Sequence, residues 1–160
     1  MSTPTSPGEG APTDVLGRAL RLVSFAMLGG VVAIAMVAIF TVGDEPGTGI
    51  DAFGQIVVSV VFLAAAFLIP HRVVRPWPIG AEPDEVKASG QLRSAAFISL
   101  VFAELPTLIG LVNSFARGVW LPVAIGALFS VAGLLLTAPT AARMREWLAR
   151  MESAGARTGL

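Results

Sequence analysis

The stretch LVSFAMLGGVVAIAMVAIFTV, residues 22–42, contains 21 consecutive residues without a charged side chain. An α-helix rises 1.5 Å per residue, so about 20 apolar residues cross the roughly 30 Å hydrocarbon core of a bilayer. An apolar strand does not fit here, because a segment in lipid must satisfy its own backbone hydrogen bonds and only a helix does so within one segment. The stretch therefore predicts a membrane-spanning helix.

Three further stretches repeat this pattern. The second contains one amide, Gln55, the third is interrupted only by Glu104, and the fourth is uncharged. The sequence thus predicts an all-α, polytopic membrane protein with four transmembrane helices arranged as two hairpins within residues 15–138. The four predicted spans are residues 22–42, 52–69, 94–116 and 118–138, with a connector at 70–93.

The composition of the whole chain agrees with this prediction. Hydrophobic residues make up 54% of the 160 residues, 17 more are glycine, and charged residues make up only 14%. The mean hydropathy is +0.76. Soluble domains average about 25% charged residues and about 45–50% apolar residues with glycine included. These values exclude a soluble globular domain.

The same counts exclude several functions. Eleven Lys and Arg residues balance eleven Asp and Glu residues, so no basic surface for nucleic acid is expected. The chain has no cysteine and one histidine, so disulfides, thiolate metal sites and histidine metal or haem sites are not expected. No phosphate-binding glycine loop, G-x-S-x-G or HExxH motif is present. We therefore expect neither an enzyme nor a cofactor.

The distribution of basic residues predicts the orientation. Ten of the eleven Lys and Arg residues lie before the first span, in the connector 70–93 or after the fourth span, and Arg117 alone lies on the other side. The positive-inside rule places both termini in the cytoplasm, in a multi-pass protein of the cell (cytoplasmic) membrane of a bacterium. Residues 1–14 are rich in Ser, Thr, Pro and Gly and predict a disordered tail.

The segment after Pro139 has a different pattern. In TAARMREWLARMES, residues 140–153, four apolar side chains recur on one helical face, charged residues occupy the other, and Thr140 is a suitable N-cap. The pattern predicts an amphipathic interfacial helix on the cytoplasmic membrane surface within residues 139–160, with 154–160 frayed. A helix that docks a partner is the alternative. The four apolar residues are Met144, Trp147, Leu148 and Met151.

Glu104 is the one ionisable residue within any predicted span. It follows Ser94 by ten residues, about 15 Å along a helix, which places it near the middle of the bilayer. Holding a charge there is costly, so the carboxyl is expected to be protonated until water or a partner reaches it. Such a group suits proton or cation exchange, and equally suits hydrogen bonding to a neighbouring helix as packing.

The residues around Glu104 complete a candidate proton- or ion-binding site. Pro106 lacks an N–H and leaves a carbonyl one turn earlier without its helical partner. Thr107 offers a hydroxyl at i+3, and Gly110 continues the small and polar path. Polar residues on the second and fourth spans are possible supporting groups, namely Gln55, Ser59 and Ser130.

Small residues predict close helix contacts on two spans. Gly126, Ser130, Gly133 and Thr137 form a small and polar stripe on the fourth span. Gly29 and Ala33 form a small-xxx-small pair on the first. Such positions allow helix backbones to approach closely in membranes.

The stretch RSAAFISLVFAELPTLIGLVNSF, residues 93–115, resembles the carboxylate-bearing helix of the ATP synthase c (proteolipid) subunit. The shared features fall on Ala103, Glu104, Pro106 and Gly110. The resemblance implies that Glu104 carries a proton or sodium ion. The chain departs from that family in its four helices, its long connector and the lack of a glycine-repeat partner helix, and its whole layout resembles small uncharacterised four-helix bacterial membrane proteins.

Three functional hypotheses follow. The leading one is a small integral membrane protein of accessory or structural type, in which Glu104 is a buried protonatable element. The second is a proton- or cation-coupled carrier or channel with Glu104 as the exchanging carboxyl. The third is a membrane docking subunit of a larger complex. The expected partners are the lipid bilayer and either further copies of the chain or another membrane protein.

Overall fold

The computed structural model describes residues 12–42, 45–80, 82–155 and 157–159, with side chains from Gly17 onward. In this part of the chain the fold is entirely helical, as predicted. The five helices are α1 (Pro12–Val42), α2 (Gly49–Val73), α3 (Glu85–Arg117), α4 (Leu121–Thr137) and α5 (Ala141–Glu152).

Three of these helices, α1, α2 and α3, are long and apolar enough to cross a membrane. α4 has 17 residues, about 25 Å, and is followed by α5 at an angle of 63°. The chain therefore has three candidate spans, or four if α4 and α5 together form one bent span. These helices fit a multi-pass membrane protein.

The helices α1 to α4 run alternately in opposite directions. α3 lies at the centre, with its most extensive contact to α4, while α2 contacts both of these and α1 packs on α3 and α4. The beginnings of α1 and α3 and the ends of α2 and α4 meet at one end of the bundle, which we call the basic end. The other end carries the α1–α2 loop and the turn between α3 and α4.

Local signals set where these helices begin and end. Thr48 and Asp51 form a reciprocal capping box at the start of α2, and Asp84 accepts a hydrogen bond from Lys87 N at the start of α3. Gly118 ends α3 in the left-handed region at φ 68°, which a glycine adopts without a Cβ clash. The N-cap residue of α4, Trp120, makes no side-chain cap. The first N–H groups of α4 are satisfied instead by the α1–α2 loop and by the Ser114 hydroxyl of α3, which accepts a hydrogen bond from Val123 N at 2.9 Å.

Carbonyl groups of that loop bind the start of α4 directly. The backbone N–H of Trp120 donates to Glu45 O at 3.2 Å, and that of Leu121 donates to Pro46 O at 3.3 Å. Asp51 and Arg117 form an ion pair across the same end of the bundle, between the start of α2 and the end of α3. The two hairpins are therefore joined at this end by backbone and side-chain contacts.

Helix boundaries differ from the predicted ones mainly at the basic end. α1 begins at Pro12, so residues 12–14 of the predicted disordered tail are helical, while residues 1–11 lie outside the described part of the chain. α2 continues to Val73 and α3 begins at Glu85, so much of the predicted connector 70–93 is helical. The hydropathy signal stops at the membrane boundary, whereas helix propensity and the Asp84 cap continue the helix beyond it.

The apolar face of α5 packs against the rest of the chain, whereas the sequence predicted that this face would lie on the membrane surface. Met144, Trp147 and Met151 are only 6%, 3% and 0% exposed. They pack into a cluster with the first turns of α3 and the chain after α2. α5 is amphipathic and capped by Thr140, as predicted. Its apolar face is buried inside the protein, because α3 begins earlier than predicted and its first turns present an apolar surface to α5.

The C-terminal residues are also held more firmly than expected. Thr158 lies within the segment predicted to fray, yet it is fully buried. Its backbone N–H and its hydroxyl both donate to Glu152 Oε1, at 3.0 and 2.7 Å. These hydrogen bonds hold Thr158 against the last turn of α5.

Candidate functional site

Helices α3 and α4 approach each other very closely beside Pro106 in α3. A Cβ added at Gly126 would lie 2.8 Å from the carbonyl carbon of Pro106 and 3.1 Å from Thr107 Cα, with the Pro106 oxygen closer still. A Cβ at Gly110 would lie 2.5 Å from the carbonyl oxygen of Pro122. α3 and α4 therefore touch backbone to backbone, which only glycine permits at these two positions.

A buried amide on α2 binds this part of α3. Gln55 is 2% exposed, and its Nε2 donates to Pro106 O at 2.9 Å and to Ser59 Oγ at 3.3 Å. The Ser59 hydroxyl in turn donates to Gln55 O at 2.7 Å. Asn113 Nδ2 donates to Gln55 Oε1 at 3.3 Å. The amide thus uses both its donor and its acceptor side.

A serine on α4 binds α3 from the opposite side of this contact. The Ser130 hydroxyl accepts a hydrogen bond from Thr107 N at 3.1 Å and donates one to the backbone carbonyl of Glu104 at 3.2 Å. Ser130 and Thr107 are both fully buried. One turn of α3 is therefore held by side chains from two neighbouring helices.

The structure brings together six of the seven predicted site residues. They surround one turn of α3 as a hydrogen-bonded and closely packed group, which we call the polar junction. Each helix contributes through positions that the sequence marked as polar or small within an apolar run. The six residues are Gln55, Ser59, Pro106, Thr107, Gly110 and Ser130.

The seventh residue, Glu104, joins the polar junction only through its backbone. Its side chain is half-buried at the edge of the packed face of α3. Among the described residues it has no hydrogen-bond partner and no ion pair. Ala103 and Thr107 occupy the inward positions, whereas Glu104 lies about 100° from Ala103 and about 60° from Thr107 around the helix axis, so its carboxyl is half-buried and not at the centre of the site as expected.

The polar junction is nearly saturated with hydrogen bonds. Only one of its side-chain atoms, Thr107 Oγ1, is buried without a partner in the described chain. Buried polar groups that bind one another stabilise helix contacts in a membrane, because lipid offers them no alternative. The geometry of the junction is that of a helix-packing contact, because the polar groups of Gln55, Ser59 and Ser130 bind one another or the backbone of α3.

Two contacts at other sites differ from expectation or were not anticipated. Gly29 and Ala33 are exposed, and a Cβ added at Gly29 would meet nothing within 4 Å, so this predicted small-residue pair forms no close contact with the described part of the chain. The Asp51–Arg117 ion pair was not predicted. The signal for it was present, since Arg117 is the one basic residue on a side where the loop is acidic.

Comparison of the chain with protein-family models, with curated proteins and with solved structures gives no match.

Proposed function

We propose that the protein is a small integral membrane protein of accessory or structural type, with four membrane-spanning helices and both termini in the cytoplasm. The basic end of the bundle then faces the cytoplasm, in agreement with the positive-inside rule. Under this proposal the bundle itself is the functional part, as a stable helical body in the bilayer, and Glu104 is a protonatable group on its flank.

The exposed surface supports the membrane location. Large apolar side chains on the outer faces of α1 and α2 are unusually exposed, for example Leu22 at 71%, Phe40 at 80% and Phe53 at 68%. A soluble monomer rarely exposes contiguous apolar patches of this kind. Lipid is the surrounding that makes these positions favourable.

The geometry of α4 and α5 supports a fourth span that ends at Thr137. The 17 residues of α4 lie at the lower limit for crossing the hydrocarbon core. The apolar face of α5 packs on α3 and on the chain after α2, beyond the predicted end of the second span. A single bent span made of α4 and α5 would place Arg143, Arg145 and Arg150 in lipid, which is unfavourable.

The observation that carries the functional proposal is the polar junction, in which every buried side-chain polar atom except Thr107 Oγ1 has a hydrogen-bond partner among the described residues. A carrier or channel needs polar groups that are free to exchange partners with water or an ion. Here the amide of Gln55 and the hydroxyl of Ser130 bind the backbone of α3, and neither forms a hydrogen bond with the Glu104 carboxyl. This arrangement favours helix packing over transport.

Proton flux in proteoliposomes tests the proposal. Wild type and Glu104→Gln are reconstituted at equal density with a pH-sensitive dye inside, and an added protonophore shows that the vesicles are tight. The expected result is flux equal to that of empty vesicles for both proteins. Flux in the wild type that disappears in Glu104→Gln refutes the structural proposal and establishes the carrier or channel alternative.

The docking alternative is tested by deletion of residues 143–160. The apolar face of α5 is buried within the chain, so a partner would have to bind its charged face. If the deletion removes a stoichiometric partner from complexes isolated from native membranes, the protein is a docking subunit. Complexes unchanged by the deletion agree with the structural role.

A further inference from the structure

The outer face of α3 carries a regular apolar stripe with a single carboxyl in its middle. Phe97, Val101, Leu108 and Phe115 are 56%, 37%, 39% and 57% exposed. Together with Glu104 and the half-buried Leu111 they follow an alternating spacing of four and three residues. This is the heptad spacing of helices that pair at a left-handed crossing, in membranes as in coiled coils. We call these six positions the α3 stripe.

Lipid alone is a poor covering for the α3 stripe. Glu104 lies near mid-bilayer, halfway along the stripe, and no described group of the same chain binds its carboxyl. Acyl chains offer neither a donor nor an acceptor, so the carboxyl would remain without a hydrogen bond in the least polar part of the membrane. The five apolar positions tolerate lipid, and the carboxyl of Glu104 is the group that requires a partner.

We propose that the α3 stripe binds the α3 stripe of a second copy of this chain, as a two-fold symmetric dimer with paired Glu104 carboxyls. A protonated carboxyl is at once donor and acceptor, so it is complementary to itself across a two-fold axis. Two copies inserted in the same orientation place their α3 helices parallel and their Glu104 residues at the same depth. This inference rests on the membrane placement given under the proposed function.

The position of Glu104 also sets the register of such a pair. Val101 precedes it by about one turn and Leu108 follows it by about one turn, so an axial slip of one helix separates the two carboxyls. A single buried polar residue in an apolar seam fixes register and oligomeric state in this way. A second copy satisfies both carboxyls with one contact.

Single-cysteine crosslinking in lipid vesicles tests the dimer directly. The chain contains no cysteine, so Val101→Cys and Leu108→Cys each introduce one reporter. Around a two-fold axis each residue of the stripe meets its own copy, and both variants are expected to form disulfide-linked dimers on mild oxidation. Leu128→Cys is the matched control, because it lies on the exposed face of α4, 69% exposed and near mid-helix.

A second arm tests the role of the carboxyl. Glu104→Leu completes an apolar stripe, and we expect the dimer equilibrium constant, measured by energy transfer between labelled copies, to fall about 3- to 30-fold. Glu104→Gln retains a donor and an acceptor and is expected to stay within about 3-fold of the wild type. Both variants lie on a half-exposed position, and matched circular dichroism spectra verify that each is folded.

Three results would overturn the proposal: equal crosslinking of Leu128→Cys and Val101→Cys, crosslinking of Ala33→Cys in their place, or an unchanged dimer in Glu104→Leu. The second result would assign self-association to the exposed small residues of α1. The dimer and the proposed function fail separately, because proton flux in a protein that crosslinks at Val101 rejects the structural role and leaves the dimer standing.

Discussion

Replacement of Gly126 by alanine is the sharpest test of the polar junction. The new Cβ would lie 2.8 Å from the Pro106 carbonyl carbon, whereas carbon atoms rest at about 3.5 Å or more, so α4 must move by at least about 0.7 Å. That movement stretches the hydrogen bond from Thr107 N to Ser130 Oγ from 3.1 Å to beyond bonding distance. The obstructing atoms are backbone and cannot rotate away.

The expected cost follows from these two effects. Overpacking costs about 1–3 kcal/mol and the lost interhelical hydrogen bond about 0.6 kcal/mol. Replacing a helical glycine by alanine also increases helix propensity, which stabilises the helix. The control Gly29→Ala gains the same propensity and its new Cβ meets nothing within 4 Å, so the difference between the two variants excludes this contribution. The unfolding free energy of Gly126→Ala should therefore be about 2–4 kcal/mol lower than that of Gly29→Ala.

Reversible unfolding in bicelles, followed by circular dichroism, measures this difference. The reasoning is refuted if Gly126→Ala is as stable as Gly29→Ala. It is also refuted if both variants are destabilised equally, because the effect would then belong to glycine replacement in general and not to the contact with Pro106.

Three other predictions concern the ends of the bundle. Trp147→Ala should lower the unfolding free energy by about 3–5 kcal/mol, because the side chain is 3% exposed. An unchanged melting temperature would contradict this packing and favour a location of α5 on the membrane surface. Asp51→Asn should lower the unfolding free energy by about 1 kcal/mol, because it weakens the capping box. Arg117→Gln should lower it by less than about 0.5 kcal/mol, because Arg117 is 59% exposed. Equal losses of the two variants in denaturant unfolding would contradict this. The backbone N–H and hydroxyl of Thr158 lower the pKa of Glu152 below 4.5, so the C-terminal contact should hold above that pH and weaken as the pH falls through the lowered value. Amide exchange at Thr158 measures this, and the pH dependence should vanish in Glu152→Gln.

The apolar runs predicted the helices well, because a 20-residue apolar segment has few alternatives in lipid. The small and polar positions of the second and fourth spans also indicated the junction, since Gln55, Ser59 and Ser130 are costly in lipid unless they bind one another or backbone. What the sequence did not reveal was rotation about the helix axis. A polar residue on a span predicts a partner, but whether Glu104 faces the neighbouring helices or the outside depends on how α3 packs.

The basic end was predicted least accurately, for a related reason. Hydropathy locates the membrane boundary and carries no information on how far a helix continues into water. The Asp84 cap lies ten residues before the start of the third predicted span, within the segment predicted to be a connector. Because the third span was predicted to begin at Ser94, the sequence indicated no apolar surface of α3 against which Trp147 could pack. The amphipathic pattern of α5 therefore predicted contact with the membrane, the nearest apolar surface.

The surface against which α5 packs has a consequence for biosynthesis. It is built from residues between Leu20 and Ala96, and so from α1, α3 and the segment after α2, whereas α5 is synthesised last. The residues that contact α5 are therefore synthesised before α5 itself, and packing of Met144, Trp147 and Met151 against them completes folding of the chain. A nascent protein whose hairpins insert incorrectly would leave these three side chains in water, as a C-terminal apolar segment open to chaperones and proteases.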